Sequence, residues 1–148
     1  MRHMCVAKKF GRSMSHREEL LSSLVANLIL QDRIRTTLPK AKQARKDAEK
    51  MVTIARKGGL AARRLAASRL QQPKAVQKLF DKIVPAMEGR TGGYTRIVKL
   101  DSRKGDGAPM CGLQWVTYDP DAAAKAAAPA PAAEAPAAEA PAATEEAK

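Results

Sequence analysis

Two histidines, His3 and His16, and two cysteines, Cys5 and Cys111, carry the widest choice of chemistry in this sequence. Neither histidine stands in a motif with a serine, cysteine or carboxylate, so nucleophilic and acid–base catalysis have no constellation to build on. A zinc site from His3, Cys5, His16 and Cys111 lacks the C-x-x-C spacing that such sites use. Cys111 alternates instead with Leu113 and Trp115 along one strand face, which makes it a small buried apolar residue. Gly105-Asp106-Gly107 signals a turn; no G-x-x-x-x-G-K-S/T pattern is present to cradle phosphate. The sequence therefore points away from an enzyme, a metal site, a cofactor or a small-molecule substrate.

The chemistry that does accumulate is phosphate recognition. Residues 1–118 hold 25 Lys/Arg against 9 Asp/Glu, a net +16, while residues 119–148 hold 2 against 6. A body this basic attracts polyanions. Guanidinium groups present a planar fork of donors that matches phosphate. Candidate contacts are Arg2, Lys8, Lys9, Arg12, Arg17, Arg33, Arg35, Arg63, Arg64, Arg90, Arg96, Arg103 and Lys104. Tyr94, between Gly92-Gly93 and Thr95-Arg96, is either a base-stacking ring or a strand residue facing the core. No apolar run approaches the length of a membrane span and no secretory h-region opens the chain, so a cytoplasmic protein is expected. A membrane-surface role would need a wide apolar face that the basic start lacks. A free-standing nucleic-acid regulator would need helix-turn-helix spacing, which is not found.

These residues need elements to hold them. Residues 1–14 read as a basic arm. Ser15 and Glu18 fit a capping box, and Leu21, Leu24, Val25 and Leu28 make one face of a helix ending near Gln31. Arg33 to Leu38 alternates as a short strand. Pro39 fits the first turn of a second helix, whose stripe is Ala41, Ala44, Ala48, Met51, Val52 and Ala55, down to a Gly58-Gly59 stop. A third helix spans Leu60 to about Leu70. Pro73 opens a fourth, with Val76, Leu79, Phe80, Ile83 and Met87 inward and Pro85 ending or bending it. Tyr94–Leu100 and Met110–Thr117 are two further strands, joined by a loop too long for a tight hairpin. The expected fold is α+β in two layers: helix, strand, three helices, two strands, with helices on one face of a small antiparallel or mixed sheet. The globular RNA-binding domain is placed at 15–118. From Pro120 the Ala/Pro/Glu composition, with Ala-Ala-Glu-Ala-Pro repeated, reads as a disordered acidic tail over 119–148.

Taken together, several segments resemble the family of the bacterial large-subunit ribosomal protein numbered seventeen. They are Met1-Arg2-His3, Gly11-Arg12, Ser15-His16-Arg17, Arg35 through Lys42, Ala62-Arg63-Arg64, Lys78-Leu79-Phe80, Gly92 through Ile97, and Ala108-Pro109-Met110. Their order and spacing carry the likeness from Met1 to about Val116. The resemblance implies a structural protein of the large subunit that binds ribosomal RNA near the exit of the peptide tunnel. It also implies neighbouring ribosomal proteins as contacts, including the large-subunit protein numbered thirty-two. Carried onto this chain, the resemblance implies Arg2, His3, Lys8, Lys9, Arg12, His16 and Arg17 as RNA contacts, whereas Met4 and Cys5 stand where that family is usually basic.

Overall fold

The computed structural model of the chain describes residues 8–116. Arg2, His3 and the rest of the first seven residues of the proposed arm lie outside that range, as does the acidic tail. Helix α1 (Met14–Gln31) leads into β1 (Arg33–Thr37), α2 (Leu38–Arg56), α3 (Gly59–Leu70) and α4 (Pro73–Lys78). A π-helical turn (Leu79–Ile83) and a last short turn, α5 (Val84–Ala86), continue α4. Then come β2 (Thr95–Lys99) and β3 (Met110–Trp115). The fold is α+β, and all strand pairs are antiparallel in the order β1-β3-β2.

The apolar spacing dictates the packing. All six residues of the α2 stripe are buried. Alanine at four of those positions lets α2 approach its neighbours closely while covering the sheet. On α1, Leu21, Val25 and Leu28 are buried as their spacing predicts, joined by Ala26 and Ile29, with Leu24 partly buried. The inward face of β3 contributes Cys111, Leu113 and Trp115. Fully burying a large side chain of this kind is worth about 1.5–3 kcal/mol. The Trp115 indole N–H cannot be left unpaired in this core, and it donates to the Leu28 carbonyl at 3.2 Å. That bond ties the last strand to α1.

Three local expectations are corrected. The first helix begins at Met14, not behind a Ser15–Glu18 capping box. Ser13 is extended (φ −62°, ψ 166°) and occupies the cap position without a side-chain hydrogen bond. Its carbonyl accepts the Arg17 amide at 3.0 Å, which draws Ser15 into the first turn. Leu38 belongs to α2 rather than to the strand. Phe80 is only partly buried at the edge of the core. The helix widens into its π turn at that point, where the Val84 amide reaches back to the Leu79 carbonyl. Widening just before Pro85 accommodates a ring that would crowd the carbonyl four residues back in a regular α-helix.

A buried ion pair fixes the corner between α1 and β1. Asp32 ends α1 in the left-handed region (φ 63°), with its carboxylate 2.8 Å from the Lys78 ammonium. Lys78 also donates to the Leu30 carbonyl at 2.9 Å, so one side chain binds α4 to the end of α1.

Candidate nucleic-acid interface

Strand parity decides which side chains share a surface. Opposite the helices, the outer face of the sheet is crossed by a row of Arg33, Gln114 and Arg96. The next row is Arg35, Gly112 and Val98, and Thr37 pairs Met110 beyond it. The three arginines and Val98 are exposed, while Gln114 and Gly112 are partly exposed. No carboxylate belongs to any of these rows. The sheet thus brings together Arg33, Arg35 and Arg96 from the candidate list and adds Gln114 to the same surface.

The acids collect elsewhere. Glu18, Glu19 and Asp47 line an open groove of about 770 Å³ among α1, α2 and α3. Burial there pushes the Asp47 carboxyl above its ordinary range, against the opposing pull of Lys50, Arg69, Lys46 and Arg17. That groove mixes carboxylates with its cations, whereas the outer rows of the sheet carry arginines without a carboxylate, an arrangement that favours phosphate.

Other candidates are dispersed. Lys8 and Lys9 are exposed just before a turn at Phe10-Gly11. In that turn one Arg12 guanidinium nitrogen donates to the Phe10 carbonyl at 2.8 Å. His16 is exposed and Arg17 partly so on the first turns of α1. Arg63 and Arg64 are exposed on α3, within the helical layer. The Arg63 guanidinium lies 4.7 Å from the Phe80 ring centroid and 3.9 Å from Asp81, which directs it along the protein surface. Arg90 is exposed in the loop before β2.

Two candidates have structural roles. Tyr94 is buried at 2% exposure, so its ring has no open face for a base. Its hydroxyl accepts from the Arg56 guanidinium at 3.0 Å and donates to the Arg90 carbonyl at 3.4 Å. Arg56 also donates to that same carbonyl, closing a clamp across the Gly92-Gly93 loop. The core-facing alternative for Tyr94 is the one realised, because Arg56 satisfies the phenol inside the fold. In the β2–β3 loop, Arg103 is forked onto the Asp106 carboxylate, with Nε to Oδ1 at 2.9 Å. The ion pair holds the Asp106 carboxyl down to about 2. Further bonds from the Gly107 amide to the Arg103 carbonyl and from the Arg103 amide to the Ala108 carbonyl make this loop a built turn. Exposed Lys104 lies within it.

Cys111 is wholly buried, and its thiol is pushed above its ordinary range by that burial. No cluster of three or more potential metal ligands occurs among the described residues. No helix of the described region is long and apolar enough to cross a membrane.

Residues 20–116 match the family model described as ribosomal protein L17. The chain belongs to the ribosomal protein L17 family. A relative from Maridesulfovibrio salexigens, named large ribosomal subunit protein bL17, is 47% identical over 129 residues, covering 86% of this chain and 91% of the relative. One of the same name from Azorhizobium caulinodans is 48% identical over 126 residues, covering 85% and 91%. Another from Rhodopseudomonas palustris is 44% identical over 129 residues, covering 87% and 95%. Membership in this family makes the chain a ribosomal component and not an enzyme. Gln114 was the functional candidate hardest to single out in the sequence. Its signal is its position between inward Leu113 and Trp115, which places it outward beside arginines from two other strands.

Proposed function

We propose that this protein is a structural constituent of the cytoplasmic large ribosomal subunit that binds large-subunit ribosomal RNA, near the exit of the peptide tunnel. Its contacts there include neighbouring ribosomal proteins, among them the one numbered thirty-two. The tunnel-exit position and that neighbour rest on the family resemblance. RNA binding rests on one observation above all: Arg33, Arg35 and Arg96 stand together on a sheet face whose paired rows contain no carboxylate. Lys8, Lys9, Arg12, His16, Arg17, Arg63, Arg64, Arg90 and Lys104 are further proposed contacts dispersed over the rest of the surface, and Arg2 and His3, outside the described residues, are proposed contacts as well. Arg103 supports it by shaping its loop.

The test is twofold. The protein should sediment with large subunits and be released by high-salt washing. The purified chain should bind ribosomal RNA with an affinity that falls about 10³ to 10⁵-fold between 50 and 200 mM salt, if roughly 6–10 phosphates are neutralised as on duplex DNA. A flat salt response would falsify the electrostatic account.

A further inference from the structure

We infer that the outer face of the sheet grips the minor-groove side of an A-form RNA duplex, with the Gln114 carboxamide at a ribose 2′-hydroxyl. This rests on the RNA-binding reading and names the form of RNA that the face takes. Neighbouring strands lie about 4.8 Å apart, so Arg33 and Arg96 originate about 10 Å apart on either side of Gln114 in one cross-strand row. Two guanidinium forks flanking one amide suit a surface with phosphates at its edges and a group that both donates and accepts in the middle. The 2′-hydroxyl has both capacities, and a carboxamide can answer either.

Gly112 shapes the next row. Lying between Arg35 and Val98, it leaves bare backbone at the centre of the face, and a Cβ built there meets nothing within 4 Å. The result is a shallow saddle with Val98, 41% exposed, at its side. A wide, shallow A-form minor groove offers ribose edges to such a saddle. A B-form minor groove, about 6 Å wide, is too narrow to admit it. Unpaired bases find no platform on this face, because single-strand binders stack bases on open aromatic rings and its cross-strand rows contain none. Among the described residues Tyr94 and Trp115 are buried, and Phe80 lies beneath Arg63.

The full-length chain is titrated with an RNA duplex of about 20 base pairs, the DNA duplex of the same sequence, and one RNA strand alone. The RNA duplex should bind at least tenfold tighter than either of the others. Gln114→Ala should weaken RNA-duplex binding about five- to tenfold, the equivalent of one net hydrogen bond, and change DNA binding less than twofold. Gly112→Val fills the saddle with a residue that suits a strand, so it should keep or raise Tm while weakening RNA-duplex binding. Arg33→Gln with Arg96→Gln should make the salt slope shallower by about two units. If the chain binds ribosomal RNA but these variants match wild type on the RNA duplex, the sheet is not the duplex-binding face. A preference for the single strand or the DNA duplex overturns the inference equally. If the wild-type chain binds no RNA at all, the functional reading fails and takes this inference with it.

Discussion

Replacing Lys78 by methionine should be among the most destabilising single changes available in this fold. Methionine keeps most of the aliphatic stem but removes the ammonium 2.8 Å from Asp32. The remaining carboxylate is buried at 7% exposure, and its Oδ1 already lacks a hydrogen-bond partner. The Leu30 carbonyl loses a donor as well. Breaking a buried pair from one side costs about 3–5 kcal/mol, and the partial exposure of Lys78 favours the lower end. At about 4–8 °C per kcal/mol for a domain of this size, Tm should fall by roughly 12–24 °C. Asp32→Asn should cost less, because asparagine tolerates the left-handed backbone and retains an acceptor. The double variant should recover about 1–3 kcal/mol relative to the sum of the single changes. Urea unfolding followed through the fluorescence of Trp115, the only tryptophan, measures all three. A loss below about 1 kcal/mol for Lys78→Met, or strict additivity in the cycle, would sink the claim that this pair holds α1 to α4.

Phe80→Ala should cost about 1–2 kcal/mol by the same assay, below the 3–5 typical of a fully buried ring, since Phe80 lies at the edge of the core; a loss above 3 would mean that the ring is a core anchor. In a Cys5→Ser background, a thiol reagent should reach Cys111 only as fast as the protein opens, because the side chain is fully buried. Immediate labelling under native conditions would contradict that burial. The Asp106 carboxyl is lowered to about 2, so its clamp on Arg103 should be intact above pH 3.8 and be lost as pH falls through about 2. Asp106→Asn should speed hydrogen exchange at the Arg103 and Gly107 amides at neutral pH, and unchanged exchange would mean that the turn holds without the carboxylate. Asp47 is raised by burial, so its ionised form opposes folding. Asp47→Asn should therefore raise Tm at pH 7, with the gain shrinking as pH falls through the raised value toward 3.8; a lower Tm at pH 7 would mean that attraction to nearby cations outweighs burial.

What could be read from residue types was whatever depends on local periodicity. The α2 stripe is legible because six apolar positions recur at helical spacing with cations opposite, and the burial of Cys111 follows from alternation with Leu113 and Trp115. Contacts between distant segments were not legible in the same way. Asp32 and Lys78 are separated by 46 positions, and neither residue type announces burial. Tyr94 had two plausible settings, and only the arrival of Arg56 from α2 decides between them. Ser13 and Ser15 are equally good caps by type, so the choice falls to how the chain turns at Phe10-Gly11. The outer sheet face was half-visible: parity put Arg33 and Arg35 on one side of their strand, but strand order was needed to set Gln114 between Arg33 and Arg96.

The order β1-β3-β2 has a consequence for how the protein is made. The central strand is the last to leave the ribosome that synthesises it, and it pairs with Arg33 through Gln114, 81 positions earlier in the chain. Until β3 arrives, β1 and β2 have no partner in this sheet and the face that carries their arginines does not exist. Pairings across such separations are slow, because the loop must close before the contacts stabilise it. A chain interrupted anywhere before residue 110 can form helices but cannot assemble this surface. Synthesis through β3 thereby becomes a condition for assembling the arginine-bearing face, and a chain stopped short of it lacks the surface proposed to bind RNA.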